Sequence, residues 1–482
     1  MCAHGNGEET TIDILGGGPA GLAVAHYAAR AGLSFRLFER ASELGGLCRT
    51  YSCGPHRYDS GAHRFHDRDP EITADLRALL GDELTEVDAP SQILHRGRYI
   101  DFPPQPVNWL RHCGVVEGAR AATALFWRRL FPRPEKTFTD LVANRYGLRL
   151  GRPLLLDYSE KLWGLPGDEL APEVATRRLA GLNLRSVLSD LLFARARSAH
   201  LDGRFLYPRS GYGAICDALA APLPASSVRT DAEIAGFDCV RGRIAALRLA
   251  NGEAVAVAGR VASTLPLSLT VRMLGDQVTR AAHEAASGLR FRHVRLIFLR
   301  LDGTQGSRNA SIYLPEKRFA VARVSVPRNR SIALAPENET GLVAEVPCWS
   351  TDAIAQLGDA ELARRVVDEL AEARLLTPSK VLEWRHHFLA NAYPVYTLDY
   401  RERVDTLVRE IGAIANLDLL GRNGRYWYSH LHDQLRAARD YVGSLPSAAD
   451  SAGRSSELPA ARSVTPPSPT IAAHILRSAS TL

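Results

Sequence analysis

Six residues near the start of the chain, Gly16-Gly17-Gly18-Pro19-Ala20-Gly21, carry the spacing G-x-G-x-x-G between an apolar run and an alanine-rich one. Such a turn can take a pyrophosphate. Gly16 permits the tight bend, Gly18 lets phosphate oxygens approach the backbone, and Gly21 lets a helix pack closely on a strand. The helix that opens at Pro19 and Ala20 then offers unpaired N–H groups and a positive dipole end. Glu39, with Arg40 beside it, ends the next apolar run about twenty residues on, where an acid can accept from both ribose hydroxyls. These residues predict a bound dinucleotide.

A second glycine pair follows in Gly45-Gly46-Leu47-Cys48-Arg49. The glycines let backbone approach a ligand, and Arg49 adds positive charge near a pyrophosphate. This stretch resembles the second FAD-contacting motif of the amine oxidase, protoporphyrinogen oxidase and UDP-galactopyranose mutase superfamily of flavoproteins. The resemblance points to FAD rather than NAD and extends over about residues 11–442.

Within it, Gly61-Ala62-His63-Arg64-Phe65-His66 is similar to the G-P-H-x-F-H pattern of the mutases. The resemblance implies that Gly61 and Ala62 contact the cofactor and that His63 lies against the flavin ring, as a catalytic candidate that donates to N5 or sets the redox state. Tyr99-Ile100-Asp101-Phe102-Pro103 and Tyr158-Ser159-Glu160-Lys161-Leu162-Trp163-Gly164 resemble family segments of the substrate lobe. Ser263-Thr264-Leu265-Pro266 resembles a strand end beside the cofactor, which nominates Thr264. Tyr393-Pro394-Val395-Tyr396 precedes the closing element, Gly421-Arg422-Asn423-Gly424-Arg425-Tyr426-Trp427-Tyr428, whose family counterpart nominates Gly421 and Arg422 as cofactor contacts. Tyr158, Trp163, Tyr393, Tyr426 and Tyr428 are expected on a substrate wall; for Tyr158 and Trp163, core packing is an equal alternative. His430 and His432 stand where the family has other residues, which puts the contacts at the flavin edge in doubt.

These residues need elements to hold them. Thr11–Leu15, Pro19–Ala31 and Ser34–Phe38 read as strand, helix and strand, a βαβ opening. Strands at 244–250 and 254–258 flank Asn251-Gly252, expected as a tight turn with positive φ at both positions. A strand-rich block runs from Val294 to Val346, and helical character marks 70–80, 106–130, 138–200, 352–375 and 431–442. The expected fold is α/β: a Rossmann-like FAD-binding domain of glutathione-reductase type with an interleaved α+β substrate-binding domain. Residues 1–90, 204–285 and 385–442 are assigned to the first, 91–203 and 286–384 to the second. Residues 443–482, rich in Ser, Ala and Pro, read as a disordered tail.

A chain of 482 residues has room for two lobes. Its net charge of +6 is carried almost wholly by arginine, since lysine stands only at Lys136, Lys161, Lys317 and Lys380. No basic stripe interleaved with aromatics suggests nucleic acid. The arginine surplus reads mainly as composition and leaves room for an anionic small-molecule substrate. Seven scattered cysteines without a CxxC pair argue against a disulfide framework or metal site. No secretory signal or transmembrane run is apparent, so a cytoplasmic location is expected. The basic, amphipathic 119–131 stretch allows peripheral membrane contact, which an ordinary lobe helix explains better. Oligomeric state is not legible. The resemblance implies an FAD-dependent oxidoreductase that moves hydride from a small molecule to flavin N5. The alternative is a non-redox nucleotide-sugar mutase whose reduced flavin acts as nucleophile.

Overall fold

The apolar stretches Ile12–Leu15 and Phe35–Phe38 pair in parallel, Ile12 opposite Phe35 and Leu15 opposite Phe38. Between them crosses the helix Pro19–Arg30, whose proline presets the first turn. The computed structural model describes residues 11–102, 112–175, 204–304 and 307–446. Five parallel strands form this sheet, in the order Leu417–Leu419, Arg260–Ser263, Ile12–Leu15, Phe35–Phe38, Val228–Arg229. Leu15, Ser263 and Leu419 lie in register at the carboxyl ends of three adjacent strands. The segments that leave those ends, at Gly16, Thr264 and Leu420, therefore emerge side by side, where open α/β sheets bind ligands.

A second sheet has seven strands, ordered Val381–Val395, Arg290–Asp302, Glu339–Cys348, Arg323–Ser325, Ser311–Tyr313, Ser91–His95, Arg98–Phe102. Side chains alternate between its faces. Leu94, Ile312, Val324 and Ala344 cluster on one face with Leu362, Val366 and Leu370 of the helix Asp359–Glu372. On the other face Ile93, Tyr313, Arg323 and Glu345 are aligned across four strands. That polar row is the floor of the site. The long strand Val381–Val395 runs through residue 385, a boundary in the sequence reading, and it pairs in this sheet from end to end.

Several elements lie where periodicity puts them, among them Pro70–Leu80, N-capped by Asp69, and Leu431–Gly443. The 138–200 stretch begins as Phe138–Tyr146, Leu148–Gly151, a π turn at Arg152–Leu156, and Asp157–Trp163. Residues 103–111 and 176–203, and the tail from 447, fall outside the described residues, with the expectations that rest on them. The Asn251-Gly252 turn is a correction. Only Gly252 has positive φ, at 89°. Leu249 and Glu253 close a three-residue loop instead, of the kind in which a type I turn precedes one left-handed glycine.

Candidate functional site

A cleft of ≈ 700 Å³ runs from the glycine turn to the polar face of the seven-stranded sheet. At its first end Glu39 accepts from the N–H of Gly17 at 2.7 Å and from that of Ala41 at 2.9 Å. Both carboxylate oxygens are thereby fixed, with lone pairs to spare for hydroxyl donors. A Cβ at Gly16 would lie 2.4 Å from Thr264 Oγ1, and one at Gly21 would lie 1.9 Å from the Gly16 carbonyl oxygen. The helix beginning after Gly18 has no side-chain cap and no acid in its first turn, leaving its N–H groups for an anion.

The second glycine loop lies directly against the first. Gly45 donates from its N–H to the Gly17 carbonyl at 2.8 Å. Gly46, at φ +53°, comes so close that a Cβ there would sit 2.9 Å from Gly18 Cα. Arg49 lines the cleft while its guanidinium donates to the carbonyls of Glu43 and Leu44. It thus clamps its own loop.

Beyond these loops the chain passes over the sheet floor. Ala62 donates from its N–H to Glu345 Oε1 at 3.1 Å. Glu345, only 2% exposed, also accepts two hydrogen bonds from Arg323, at 3.0 and 2.7 Å. His63 stacks on Tyr212 with ring centroids 4.9 Å apart, and its Nδ1 is buried without a partner. Burial, reinforced by the charges of Arg323, Arg330 and Arg422, pushes its pKa down to about 3. The imidazole is therefore neutral, with one donor and one acceptor nitrogen.

The closing element completes the wall. Thr264 donates from Oγ1 to the Leu15 carbonyl at 2.8 Å. Gly421 has φ +72° and abuts Ala20 and Thr264. Arg422 lies 4.3 Å from the ring centre of Tyr428 and 5.1 Å from that of Tyr393, its Nε buried without a partner. His430 N-caps the last helix: its N–H donates to Asp433 Oδ2 at 2.8 Å, and its ring accepts from the Asp433 N–H. The Nε2 atom of this titratable ring is buried without a partner. Burial, helped by His432, Arg68 and Arg422 and opposed by Asp433, lowers this pKa to about 4. His432 is buried and stacks on His430, ring centroids 5.5 Å apart.

The cleft gathers Gly16, Gly18, Pro19, Ala20, Glu39, Arg40, Gly46, Leu47, Arg49, Gly61, Ala62, His63, Thr264, Gly421 and Arg422 on its wall, with Tyr158, Tyr393 and Tyr428. Gly21 and Gly45 stand behind that wall and serve close packing. Of the expected substrate-wall residues, Tyr426 needs correcting, and Trp163 takes the core-packing alternative. Trp163 is fully buried and packs among Tyr393, Tyr396 and Tyr428. Tyr426 is 2% exposed, and its hydroxyl lies 2.7 Å from the carbonyls of both Arg290 and Val395, which share its one proton. Both belong to the support behind the wall. Sequence reasoning missed Tyr313, Arg323 and Glu345. A charge inside an otherwise apolar strand, as in GLVAEV, was the available signal.

The site's chemistry fits FAD: an uncapped helix start and facing glycines for a diphosphate, an anchored acid for ribose, and a neutral imidazole deeper in. Among the described residues no group of three His, Cys, Asp or Glu could hold a metal. Cys48, Cys53, Cys113, Cys216, Cys239 and Cys348 are all free. No helix of the described residues is long and apolar enough to cross a membrane.

Comparison with known proteins agrees with this geometry. Coproporphyrinogen III oxidase of Mycobacterium tuberculosis is 32% identical over 151 residues, 28% of this chain and 33% of that protein. Mitochondrial dihydrolipoyl dehydrogenase 2 of Arabidopsis thaliana is 23% identical over 220 residues, 43% of this chain and 40% of that one. The chain thus matches well under half the length of either relative. Among solved structures, reduced UDP-galactopyranose mutase superposes with a TM-score of 0.76 at 19% identity, covering 90% of this chain and 94% of that one. A protein provisionally assigned as a protoporphyrinogen oxidase, from Exiguobacterium sp., gives 0.71 at 20% identity, covering 90% and 98%. Residues 19–426 match the family described as flavin containing amine oxidoreductase, and to that flavoprotein family the chain belongs.

Proposed function

We propose that the protein is an FAD-dependent oxidoreductase that takes hydride from a small-molecule substrate, with the dinucleotide domain of glutathione-reductase type. The observation that carries this reading is the continuity of one cleft from Glu39 and the glycine turn to the aromatic side chains of Tyr158, Tyr393 and Tyr428. When bound, FAD supplies the hydride acceptor. The glycine loops and the uncapped helix start bind the diphosphate, and Glu39 orients the adenosine ribose. Thr264, Gly421 and Arg422 close the cofactor's side of the cleft. His63 and His430 stay neutral at pH 7, so each offers a hydrogen bond without adding charge. The aromatic residues exclude water and orient an apolar or planar substrate.

A nucleotide-sugar mutase is the second reading, favoured by the arginines at 64, 323 and 422 on the cleft wall, which suit a substrate diphosphate. Anaerobic addition of amines, polyenes, porphyrinogens and nucleotide sugars to the purified yellow protein separates the two. Bleaching of the flavin bands by a substrate supports the oxidoreductase. Absence of bleaching with all of them, together with sugar isomerisation after dithionite reduction, supports the mutase and rejects the first reading. The free cysteines are consistent with a reducing, cytoplasmic setting.

A further inference from the structure

Arginine is concentrated where the 61–64 segment meets the polar face of the seven-stranded sheet. Arg64 donates from Nη2 to Ser91 Oγ at 2.6 Å. Arg330, 5% exposed, donates from Nη2 to Ser311 Oγ at 3.0 Å. Ser91 and Ser311 are opposite each other in the ladder, so the two guanidinium groups are tied to adjoining points of one sheet face. Arg323 follows on the same face, two residues beyond the register position of Ser311, through its neighbour Tyr313.

The charges there do not balance. Arg323 has Glu345 as its partner through two hydrogen bonds. Neither Arg64 nor Arg330 has a carboxylate within ion-pair distance among the described residues, and the Nε of Arg330 is buried without any partner. Asp59 and Glu345 act on Arg330 through space, so two carboxylates face the three guanidinium groups of Arg64, Arg323 and Arg330 and one positive charge is left over. Burial, with repulsion from Arg330 and Arg323, lowers the pKa of Arg64 to about 10. Arg64 is half-buried, and a partly desolvated cation without an ion-pair partner is stabilised when an anion arrives. Phe205 covers one side of Arg64, 4.8 Å from its guanidinium carbon, but Arg64 still lines the cleft, as do Tyr313, Phe102 and Ile93. The pyrophosphate-binding features belong to the parallel sheet, so they leave this surplus uncompensated.

We propose that Arg64, backed by Arg330, forms an anion subsite that receives a carboxylate or phosphate group of the substrate. A planar guanidinium suits either oxyanion, through paired N–H donors. That the anion belongs to the substrate rests on the flavoenzyme reading; the subsite itself rests on the charges and their partners.

Calorimetric titration of the FAD-loaded full chain tests it, with inorganic phosphate, succinate and neutral succinamide as probes at constant ionic strength. Phosphate or succinate should bind one to one, and succinamide should not; which anion binds more tightly tells the phosphate from the carboxylate source. Arg64→Gln should weaken anion binding at least tenfold while the protein stays yellow, and Arg64→Lys should restore part of it. A yellow wild-type protein that binds neither anion, or an Arg64→Gln variant that binds like wild type, overturns the subsite. If Arg64→Gln does not fold, Arg330→Gln is read by the same criterion, and wild-type preference for succinate over succinamide decides should both be lost. Failure of the flavin reading looks different: a colourless protein that cannot be reconstituted but still binds the anion through Arg64.

Discussion

Glu39 accepts from the backbone N–H of Gly17 at 2.7 Å, so the acid that ends the second strand of the parallel sheet is fixed to the turn that ends the first. The same carboxylate holds Ala41. Its orientation is therefore set before any ligand arrives, which lowers the ordering cost of binding. Glu39→Ala removes this anchor together with the proposed ribose acceptor. Hydrogen bonds to charged groups contribute roughly 1.5–3 kcal/mol each, so FAD affinity should fall about 10- to 100-fold. Titration of the apoprotein with FAD, followed by flavin fluorescence, checks this.

Gly21 has a purely steric duty. Its missing Cβ leaves room for the Gly16 carbonyl, which a methyl group would meet at 1.9 Å. Backbone cannot yield as a flexible side chain can. Gly21→Ala should therefore push helix from strand at a cost of ~1–3 kcal/mol or more. The expected result is a lower melting temperature and loss of bound flavin; retention of both would contradict the close packing.

Trp163 and Tyr158 should separate in their effects, although they stand five positions apart on one helical stretch. Trp163→Ala opens a hole in the core and should destabilise the protein by about 3–5 kcal/mol. Tyr158→Phe leaves the packing in place and removes one hydroxyl from a ring that lines the cleft. Its stability should stay within about 1 kcal/mol of wild type, while KM for the substrate changes. Urea unfolding beside steady-state kinetics distinguishes the two.

Neutral histidines in the cleft give stability a pH dependence of known sign. In the folded protein the pKa of His63 falls from 6.5 to about 3 and that of His430 to about 4. As pH drops below 6.5 the unfolded chain takes up protons that the folded protein refuses. Stability is thus fully present above that value and is lost on acidification toward pH 4, at up to about 1.4 kcal/mol per pH unit for each histidine. Urea midpoints at pH 7 and pH 5 should fall more for wild type than for a His63→Gln, His430→Gln double variant. Equal falls would show that these rings titrate normally.

The legible parts of this site are those set by local geometry. Glycine at positions 16, 21 and 46 is demanded by backbone bends and close approaches within a short span, and those demands show directly in residue type. The acid at 39 follows from the length of a single βαβ unit. The sheet floor was hidden because its pairings join residues 91–95 to 311–313, and 323–325 to 343–345. Nothing local records such a register. Trp163 and Tyr426 could not be told from wall residues, because an aromatic side chain buried behind a wall and one exposed on it follow the same pattern. The strand Val381–Val395 hid its continuity for a related reason: its alternating charged and aromatic residues carry no mark at 385 of which sheet they join. His430 was visible as a departure, but its place as the N-cap beside Asp433 became legible only in the structure.

The visible spectrum of the purified, desalted protein, with identification of the cofactor released on denaturation, tests the central claim most directly. Tightly bound FAD is predicted, at about one per chain, and Glu39→Ala should lose it more readily. A colourless protein that FAD cannot reconstitute, or one that releases a different dinucleotide, would contradict the account.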